Sequence, residues 1–399
     1  MNTRLLGSML IVAGTAIGAG MLAIPIVTAK LGFPLATLLL LVCWAVMTLT
    51  AFLVLHVNLA FKENANFSTM AIRTIGRIGQ VVTWFSFLLL LYALCAAYMT
   101  GGASLLGNTL EQFGGITLPA HLDALLFTIV LGAFVYFGTR TVDYANRFLI
   151  SLKGTAFFLV ILFLIPHIDV HHLFIHPNPH LGWLTALPIL ITSFGFHIVI
   201  PNLRDYLHSD VRKLKRAVFV GSLIPLIIYL LWETVILGII PIEGPHGFSV
   251  LLSNGGGLTE MVNQLSTTLH RPVLGFVINF FTDVAITTSF LGVSMGLLHF
   301  VRDACSLNKG RKGEKAVGAL ITFLPPLCFA WFYPRGFVLA LNYASIFVVV
   351  LLIIIPVWMT YKLRKMEMSS AYPFSLNNII AWGLLIFSIL VIGAQFVNF

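Results

Sequence analysis

The chain alternates between eleven apolar stretches and short polar links, and this alternation limits the folds that are open to it. Each stretch holds roughly 17–30 residues, the length that a helix needs to cross a bilayer. Because lipid offers the backbone no hydrogen-bond partners, such spans fold as helices. The sequence therefore predicts a single all-α membrane domain over residues 1–399. Its spans are expected at approximately 5–29, 33–60, 80–107, 122–138, 147–166, 183–206, 217–240, 272–301, 316–333, 336–361 and 376–398.

The positive charges fall mainly on one side of this predicted arrangement. The chain has 23 Lys and Arg residues, although only 9% of its residues are charged and 59% are hydrophobic. With the N-terminus inside, every basic residue except Lys30, Arg271 and Arg335 is assigned to the cytoplasmic side. The basic balance is thus a topology signal and argues against nucleic-acid binding. We expect a multi-pass membrane protein with its N-terminus in the cytoplasm and its C-terminus outside.

Glycines interrupt the first and sixth spans near mid-membrane depth. The first span contains GTAIGAG at 14–20, and the sixth contains SFGFH at 193–197. Paired breaks in two halves of a chain are typical of a secondary transporter's substrate site. The free N–H groups at such a break suit a carboxylate, and the free carbonyls suit an ammonium group or a cation. The predicted substrate-binding residues at the breaks are Thr15, Ala16, Gly18, Ala19, Gly20, Ser193, Phe194, Gly195, Phe196 and His197.

Gly18 and His197 also have structural interpretations that need no substrate. Gly14 and Gly18 are four residues apart, a spacing that often serves close helix packing in membranes. His197 can simply be hydrogen-bonded to a neighbouring helix. If Gly18 and Gly195 do mark the site, a Cβ there is expected to crowd the ligand and to disfavour backbone angles that glycine permits.

Three motifs carry a resemblance to a known family. They are NTRLLGSMLIVAGTAIGAGMLAIPI at 2–26, ITSFGFHIVIP at 191–201 and FLPPLCFAWFYPRGF at 323–337. Together they resemble the hydroxy and aromatic amino acid permease family of the amino acid–polyamine–organocation superfamily. The resemblance implies a LeuT-type fold with a first repeat at 1–166, an inverted repeat at 183–361 and an extra helix at 376–398. It also implies proton-driven symport of an aromatic amino acid, tyrosine first and tryptophan or phenylalanine next, with sodium coupling as the alternative.

The same resemblance places the substrate between spans 1, 3, 6, 8 and 10. On span 3 it indicates Tyr92, Ala97 and Tyr98, where small residues leave room for a ring and a tyrosine can close over it. The alternative is that Ala93 and Ala97 form a packing face. On span 10 it indicates Asn342, which can reach a phenolic hydroxyl.

Three charged residues within the spans are candidates for coupling. Charged groups inside a membrane are costly and functional by default. In proton-coupled proteins of this fold a lysine on span 5 can take the place of a sodium ion, which indicates Lys153. Asp283 on span 8 is the competing proton carrier, and Ser289 on the same span completes the predicted proton-coupling set. Glu233 lies in span 7, outside the expected site, so a structural, hydrogen-bonded role is the favoured interpretation.

The outer link at 167–180 is rich in histidine, with His167, His171, His172, His176 and His180. Its prolines indicate an extended loop, and the tract alone makes only a compositional case for zinc or copper, so we predict no metal and no cofactor. The chain also lacks the GxSxG, HExxH and GxxxxGK signatures of enzymes and the repeated filter of a channel. The predicted partners are an aromatic amino acid, protons and lipid.

Overall fold

The architecture comes from a computed structural model. It describes residues 3–62, 65–174, 182–245, 247–253, 256–269, 272–307, 313–368, 370–372, 374 and 376–397. Within these residues every regular element is a helix and none is a strand, so the predicted all-α class is confirmed. His176 and His180 of the histidine-rich link lie outside the described residues.

The helices are numbered in chain order. They are α1 Thr3–Ala16, α2 Gly20–Thr28, α3 Phe33–Ala60, α4 Phe67–Thr74, α5 Arg77–Gly114, α6 Ala120–Phe137, α7 Thr139–Leu164, α8 Val170–Leu173, α9 Gly182–Ser193, α10 Ile200–Tyr206, α11 Val211–Ile239, α12 Phe248–Ser253, α13 Leu258–Leu269, α14 Pro272–Ala304, α15 Glu314–Phe332, α16 Phe337–Val349, α17 Ile355–Lys365 and α18 Asn378–Val397.

The described chain contains ten helical segments that are long and apolar enough to cross a bilayer. The pair α1 and α2, bent by 54°, forms an eleventh, so the count agrees with the predicted eleven spans. The third span is longer than predicted, since α5 continues well past residue 107. Its added turns are polar, and they are stabilised by contacts of Asn108 and Gln112 with Asn263 on α13 at 3.2 Å and 3.4 Å.

The tenth span contains a wide turn between α16 and α17. Residues Val350–Ile354 form a π-helical segment, and Pro356 follows within the first turn of α17. Proline has no N–H and its ring clashes with the carbonyl four residues earlier, so a locally wider turn relieves the clash. The segment also presents Leu352 to the sixth span, where a Cβ on Gly195 would lie 3.6 Å from Leu352 Cδ1.

Helix α11 supports the first span along much of its length. It begins at the cap Asp210, whose carboxylate accepts a hydrogen bond from the Lys213 N–H at 3.1 Å. A Cβ on Gly221 would come within 2.7 Å of Val12 Cβ and 3.0 Å of the Met9 carbonyl oxygen. Only glycine therefore allows α11 to lie this close to α1. Helix α9 packs against α2. Side chains of α5, α7 and α14 reach the break of the first span.

Candidate functional site

The first span is interrupted between Ala16 and Gly20. After α1 ends, the Ile17 N–H donates to the Ala13 carbonyl at 2.8 Å, and the Gly18 N–H donates to the Ala16 carbonyl at 2.8 Å. The chain then turns into α2. Three residues are thus non-helical at a depth where lipid cannot satisfy their polar groups.

Side chains from three other helices satisfy the backbone of this break. The Ser289 hydroxyl on α14 accepts a hydrogen bond from the Ala19 N–H at 2.9 Å. The Lys153 ammonium on α7 donates to the Ile17 carbonyl at 3.0 Å. Tyr229 on α11 donates to the Ala16 carbonyl at 2.7 Å. The break is therefore tied to α11 at Ala16, to α7 at Ile17 and to α14 at Ala19.

The sixth span is interrupted after Ser193. Residues Phe194–Phe196 are non-helical, a 3₁₀ turn follows at His197–Val199, and α10 then begins. The Gly195 N–H donates to the Thr192 carbonyl at 3.2 Å. The two breaks also approach each other, because a Cβ on Gly20 would lie 3.3 Å from Ser193 Oγ.

The expected reason for the glycines at the breaks was partly wrong. Neither Gly18 nor Gly195 is among the residues with positive φ, so the breaks require no left-handed backbone there. A Cβ on Gly18 would instead lie 3.5 Å from both Ser289 Oγ and the Tyr98 hydroxyl, at ordinary contact distance. What glycine provides at this position is space beside those two hydroxyls. Gly14 is exposed and a Cβ there meets nothing within 4 Å, so it does not serve close packing.

Tyr229 joins the two breaks and was missed by the sequence reasoning. Its hydroxyl lies 2.7 Å from the Ala16 carbonyl and 2.8 Å from the Ser193 carbonyl, at the ends of α1 and α9. The side chain is fully buried, and its ring packs against Phe194 with centroids 5.1 Å apart. Its sequence signal was a polar group within an apolar helix, but span 7 lay outside the expected site. Because a phenol has one hydrogen, only one of the two carbonyls receives it at a time.

The span 3 candidates separate in the structure. Tyr98 and Ala97 are buried, and the Tyr98 hydroxyl lies next to Gly18. Tyr92 is hydrogen-bonded elsewhere: its hydroxyl donates to the Ile321 carbonyl of α15 at 2.8 Å. Of the two tyrosines, only Tyr98 is thus brought to the break. On α16, Asn342 has a buried side-chain oxygen with no hydrogen-bond partner among the described residues.

Three further polar residues at the breaks have hydrogen-bond partners within the protein. Thr15 Oγ1 donates to the Ile11 carbonyl at 2.8 Å, and Ser193 Oγ donates to the Ile189 carbonyl at 2.9 Å. His197 is fully buried, and its Nε2 lies 2.8 Å from Thr50 Oγ1 on α3. Its ring lies beside Phe196, 5.2 Å between centroids. The alternative interpretation of His197, a bond to a neighbouring helix, is therefore the one that the structure shows.

The predicted coupling residues do not form one cluster. Asp283 and Ser289 are six residues apart on α14, so their side chains point about 120° apart around the helix axis. Asp283 lines an apolar cavity of about 300 Å³ with Phe127 and Thr287, and accepts a hydrogen bond from Thr109 at 3.4 Å. Ser289 and Lys153, by contrast, both reach the break of the first span.

The histidine link contributes structural bonds where it is described. His172 Nδ1 lies 3.1 Å from the Gly238 carbonyl, His167 Nδ1 lies 3.1 Å from the Phe163 carbonyl, and the His171 N–H donates to Asp169. No cluster of three or more potential metal ligands occurs among the described residues.

Comparison with known proteins agrees with the resemblance of the motifs. Residues 1–395 match the model of the tryptophan/tyrosine permease family. The chain is 34% identical to the tyrosine-specific transport system 1 of Haemophilus influenzae, over 98% of this chain and 96% of that protein. It is also 34% identical to a tryptophan-specific transport protein of Pseudomonas aeruginosa, over 90% and 87%. A third relative, glutamine transporter 2 of Aliivibrio fischeri, is 34% identical over 92% and 91%.

These matches cover nearly the whole chain and the whole of each relative. The family and its members are transport permeases and not enzymes, and the resemblance that the three motifs predicted is confirmed. The multi-span helical architecture is the one such a permease requires. The chain belongs to the tryptophan/tyrosine permease family of amino acid transporters.

Proposed function

We propose that the chain imports tyrosine across the bacterial inner membrane by proton symport. In this proposal it has a LeuT-type fold of two inverted five-helix repeats, at 1–166 and 183–361, with α18 as the extra helix. Its N-terminus is cytoplasmic and its C-terminus periplasmic. The observation that carries the proposal is the Lys153 ammonium at the Ile17 carbonyl, in the same break whose Ala19 N–H donates to the Ser289 hydroxyl.

The breaks supply partners for both ends of a zwitterionic amino acid. Among the N–H groups of Gly18, Ala19 and Gly20 at the first break, those of Gly18 and Ala19 already have acceptors, whereas the Gly20 N–H has none among the described residues. Gly20 is also the first residue of α2, where the helix dipole favours an anion. For the ammonium end, Tyr229 leaves one of its two carbonyl partners available at any time. The carboxylate is therefore assigned to Gly20, and the ammonium to the carbonyl ends of α1 and α9.

The aromatic end of the substrate has polar and apolar partners in this arrangement. Tyr98 and Phe194 are aromatic residues at the breaks. Asn342 lies on α16, which packs against α5 and α9, and its side-chain oxygen has no partner among the described residues. A substrate hydroxyl would satisfy that acceptor, whereas phenylalanine would leave it unpaired. A site built to bond a hydroxyl rejects the analogue that lacks it. This favours tyrosine over phenylalanine.

Lys153 supports proton coupling over sodium coupling. A sodium ion at this position would use the Ile17 carbonyl, which the lysine now contacts, and other oxygens of the break such as the Ser289 hydroxyl. An ammonium placed there already supplies the positive charge and repels a second cation. The lysine thus ties α7 to the first span without a metal ion.

The test is uptake of radiolabelled tyrosine by the purified protein in proteoliposomes. We expect counterflow with internal tyrosine, accumulation under an inward proton gradient, and no change when sodium is replaced by choline at fixed pH. Competition with each unlabelled amino acid ranks the substrates; stronger competition by tryptophan would assign the chain to the second candidate, a tryptophan permease, which the Pseudomonas aeruginosa relative favours. Strict sodium dependence would contradict the assignment of Lys153.

A further inference from the structure

A carboxylic acid is buried between α11 and the second half of the first span. Glu233 on α11 is fully inaccessible to solvent. Its Oε1 is in hydrogen-bond contact with the Thr28 hydroxyl at the last turn of α2. Its Oε2 is buried and has no partner within the described residues. Tyr229 lies one turn earlier on the same helix, so α11 contacts both halves of the first span, α1 through Tyr229 and α2 through Glu233.

Counting hydrogens indicates the form of the acid that this arrangement fits. The Thr28 hydroxyl lies 2.8 Å from the Ile24 carbonyl, and it also contacts Glu233. A threonine hydroxyl has one hydrogen to give. Both contacts are hydrogen bonds at once only if Thr28 donates to Ile24 and Glu233 donates its own proton to Thr28. The hydrogen bonds around Glu233 are therefore those of the protonated acid.

The ionised acid would not be satisfied in the same place. Thr28 would have to turn its hydrogen to the carboxylate, which would release the Ile24 carbonyl, and Oε2 would stay buried without a donor. An unpaired buried charge is among the most costly features inside a membrane. Losing the proton therefore requires α2 to move relative to α11, or water to enter between them.

The other ionisable groups around this part of α11 do not pair with Glu233. The elements packed against it contribute Lys153 from α7, His167 from the turn after α7, His172 with Asp169 at α8, and Glu260 from α13. Lys153 donates to the Ile17 carbonyl, His167 and His172 contact backbone carbonyls, and Glu260 lies 3.4 Å from Arg335. Helix α2 carries no ionisable side chain, and α3 adds Cys43 and His56. Helix α11 itself adds Tyr229 and the basic residues of its first two turns, Arg212, Lys213, Lys215 and Arg216. None of these groups is hydrogen-bonded or ion-paired to Glu233 in the described chain.

We propose that Glu233 is the residue that carries the coupled proton, and that Lys153 holds the break without exchanging its own. The proposal deepens the proton symport proposed above and rests on it. In each cycle one O–H bond of the acid forms with a proton from the outer aqueous phase. That bond breaks as the proton passes to the inner phase, and no other covalent bond changes. The contact with Thr28 forms in the protonated state and links that state to the position of α2.

The test is Glu233→Gln in proteoliposomes. The glutamine amide has the shape of the neutral acid and can donate to Thr28, but it cannot release a proton. We expect counterflow of radiolabelled tyrosine to be retained within about twofold of wild type. Accumulation driven by an inward proton gradient should fall to the level seen without a gradient. Glu260→Gln is the matched control, an outer acid whose substitution should leave both measurements unchanged.

Each other outcome has a defined meaning. Gradient-driven accumulation by Glu233→Gln at the wild-type level would overturn the assignment of Glu233 while leaving proton symport intact. A wild-type protein that does not respond to the gradient would refute the symport and this assignment together, and would be recognised before any variant is compared.

If Glu233→Gln loses both counterflow and accumulation, a second variant, Thr28→Val, tests whether Glu233 carries the proton. This change removes the acceptor to which the protonated acid donates, so the protonated state loses stability and the pH of half-maximal uptake should move downward by about one unit. An unchanged pH profile in Thr28→Val would overturn the proposal.

Discussion

Tyr229→Phe is the substitution that most directly tests the junction between the two breaks. The change removes one buried hydroxyl and keeps the ring against Phe194, so no cavity forms. The Ala16 carbonyl keeps its bond from the Gly18 N–H, but the Ser193 carbonyl loses the donor at 2.8 Å. Leaving one buried acceptor unpaired costs about 1–3 kcal/mol.

If this cost falls on the substrate-bound state, it corresponds to roughly a 5- to 150-fold loss in kcat/KM for tyrosine uptake. The assay is initial-rate uptake in proteoliposomes together with the thermal stability of the detergent-solubilised protein. Tyr92→Phe is the matched control, since it also removes a hydroxyl that donates to a backbone carbonyl at 2.8 Å, but toward α15. We expect both variants to lose similar stability and only Tyr229→Phe to lose affinity for tyrosine. Equal uptake kinetics in the two variants would refute the reasoning.

Three further substitutions test the site. Lys153→Ala removes the charged donor to the Ile17 carbonyl, a hydrogen bond that contributes about 1.5–3 kcal/mol. Gradient-driven accumulation of tyrosine should therefore fall about 10- to 100-fold. Accumulation at the wild-type level would contradict the role of the lysine. Gly18→Val should reduce tyrosine uptake at least about tenfold, because the valine methyl groups would extend beyond a Cβ that already lies 3.5 Å from two hydroxyls. Gly14→Val is its control: a Cβ on Gly14 has nothing within 4 Å, so this variant should transport within about twofold of wild type. Asn342→Ala should lower the preference for tyrosine over phenylalanine by about tenfold or more in competition assays, and an unchanged preference would move the hydroxyl's partner elsewhere.

Much of the fold could be predicted from the sequence because the bilayer imposes it locally. The length and apolarity of each stretch determine a helix, and ten helices with one bent pair reproduce the predicted eleven spans. Two details of the helices could not be predicted from the sequence, the end of α5 and the wide turn in the tenth span. The extra turns of α5 depend on contacts between Asn108 and Asn263, which lie far apart in the chain, and the π-helical segment before Pro356 lies inside an uninterrupted apolar run.

The two helix interruptions were predicted in their positions, and the partners of their backbone groups less well. The runs at 14–20 and 193–197 drew attention to both interruptions, and Lys153 and Ser289 lie at the first of them. The same residue types did not separate Tyr98 from Tyr92, or Ser289 from Asp283. Which tyrosine meets Gly18, and which face of α14 meets the break, depends on how the helices are rotated against each other.

The sequence by itself determined an eleven-span helical permease, because apolar length, glycine interruptions and the family motifs are properties of single segments. Only the tertiary structure decided which side chains satisfy the unwound backbone. Tyr229 bonds carbonyls 213 and 36 residues away in the chain, and Glu233 meets Thr28 across 205 residues. Hydrogen bonds act over about 3 Å, so the partners of a buried polar group are set by the packing of whole helices and not by their spacing in the sequence.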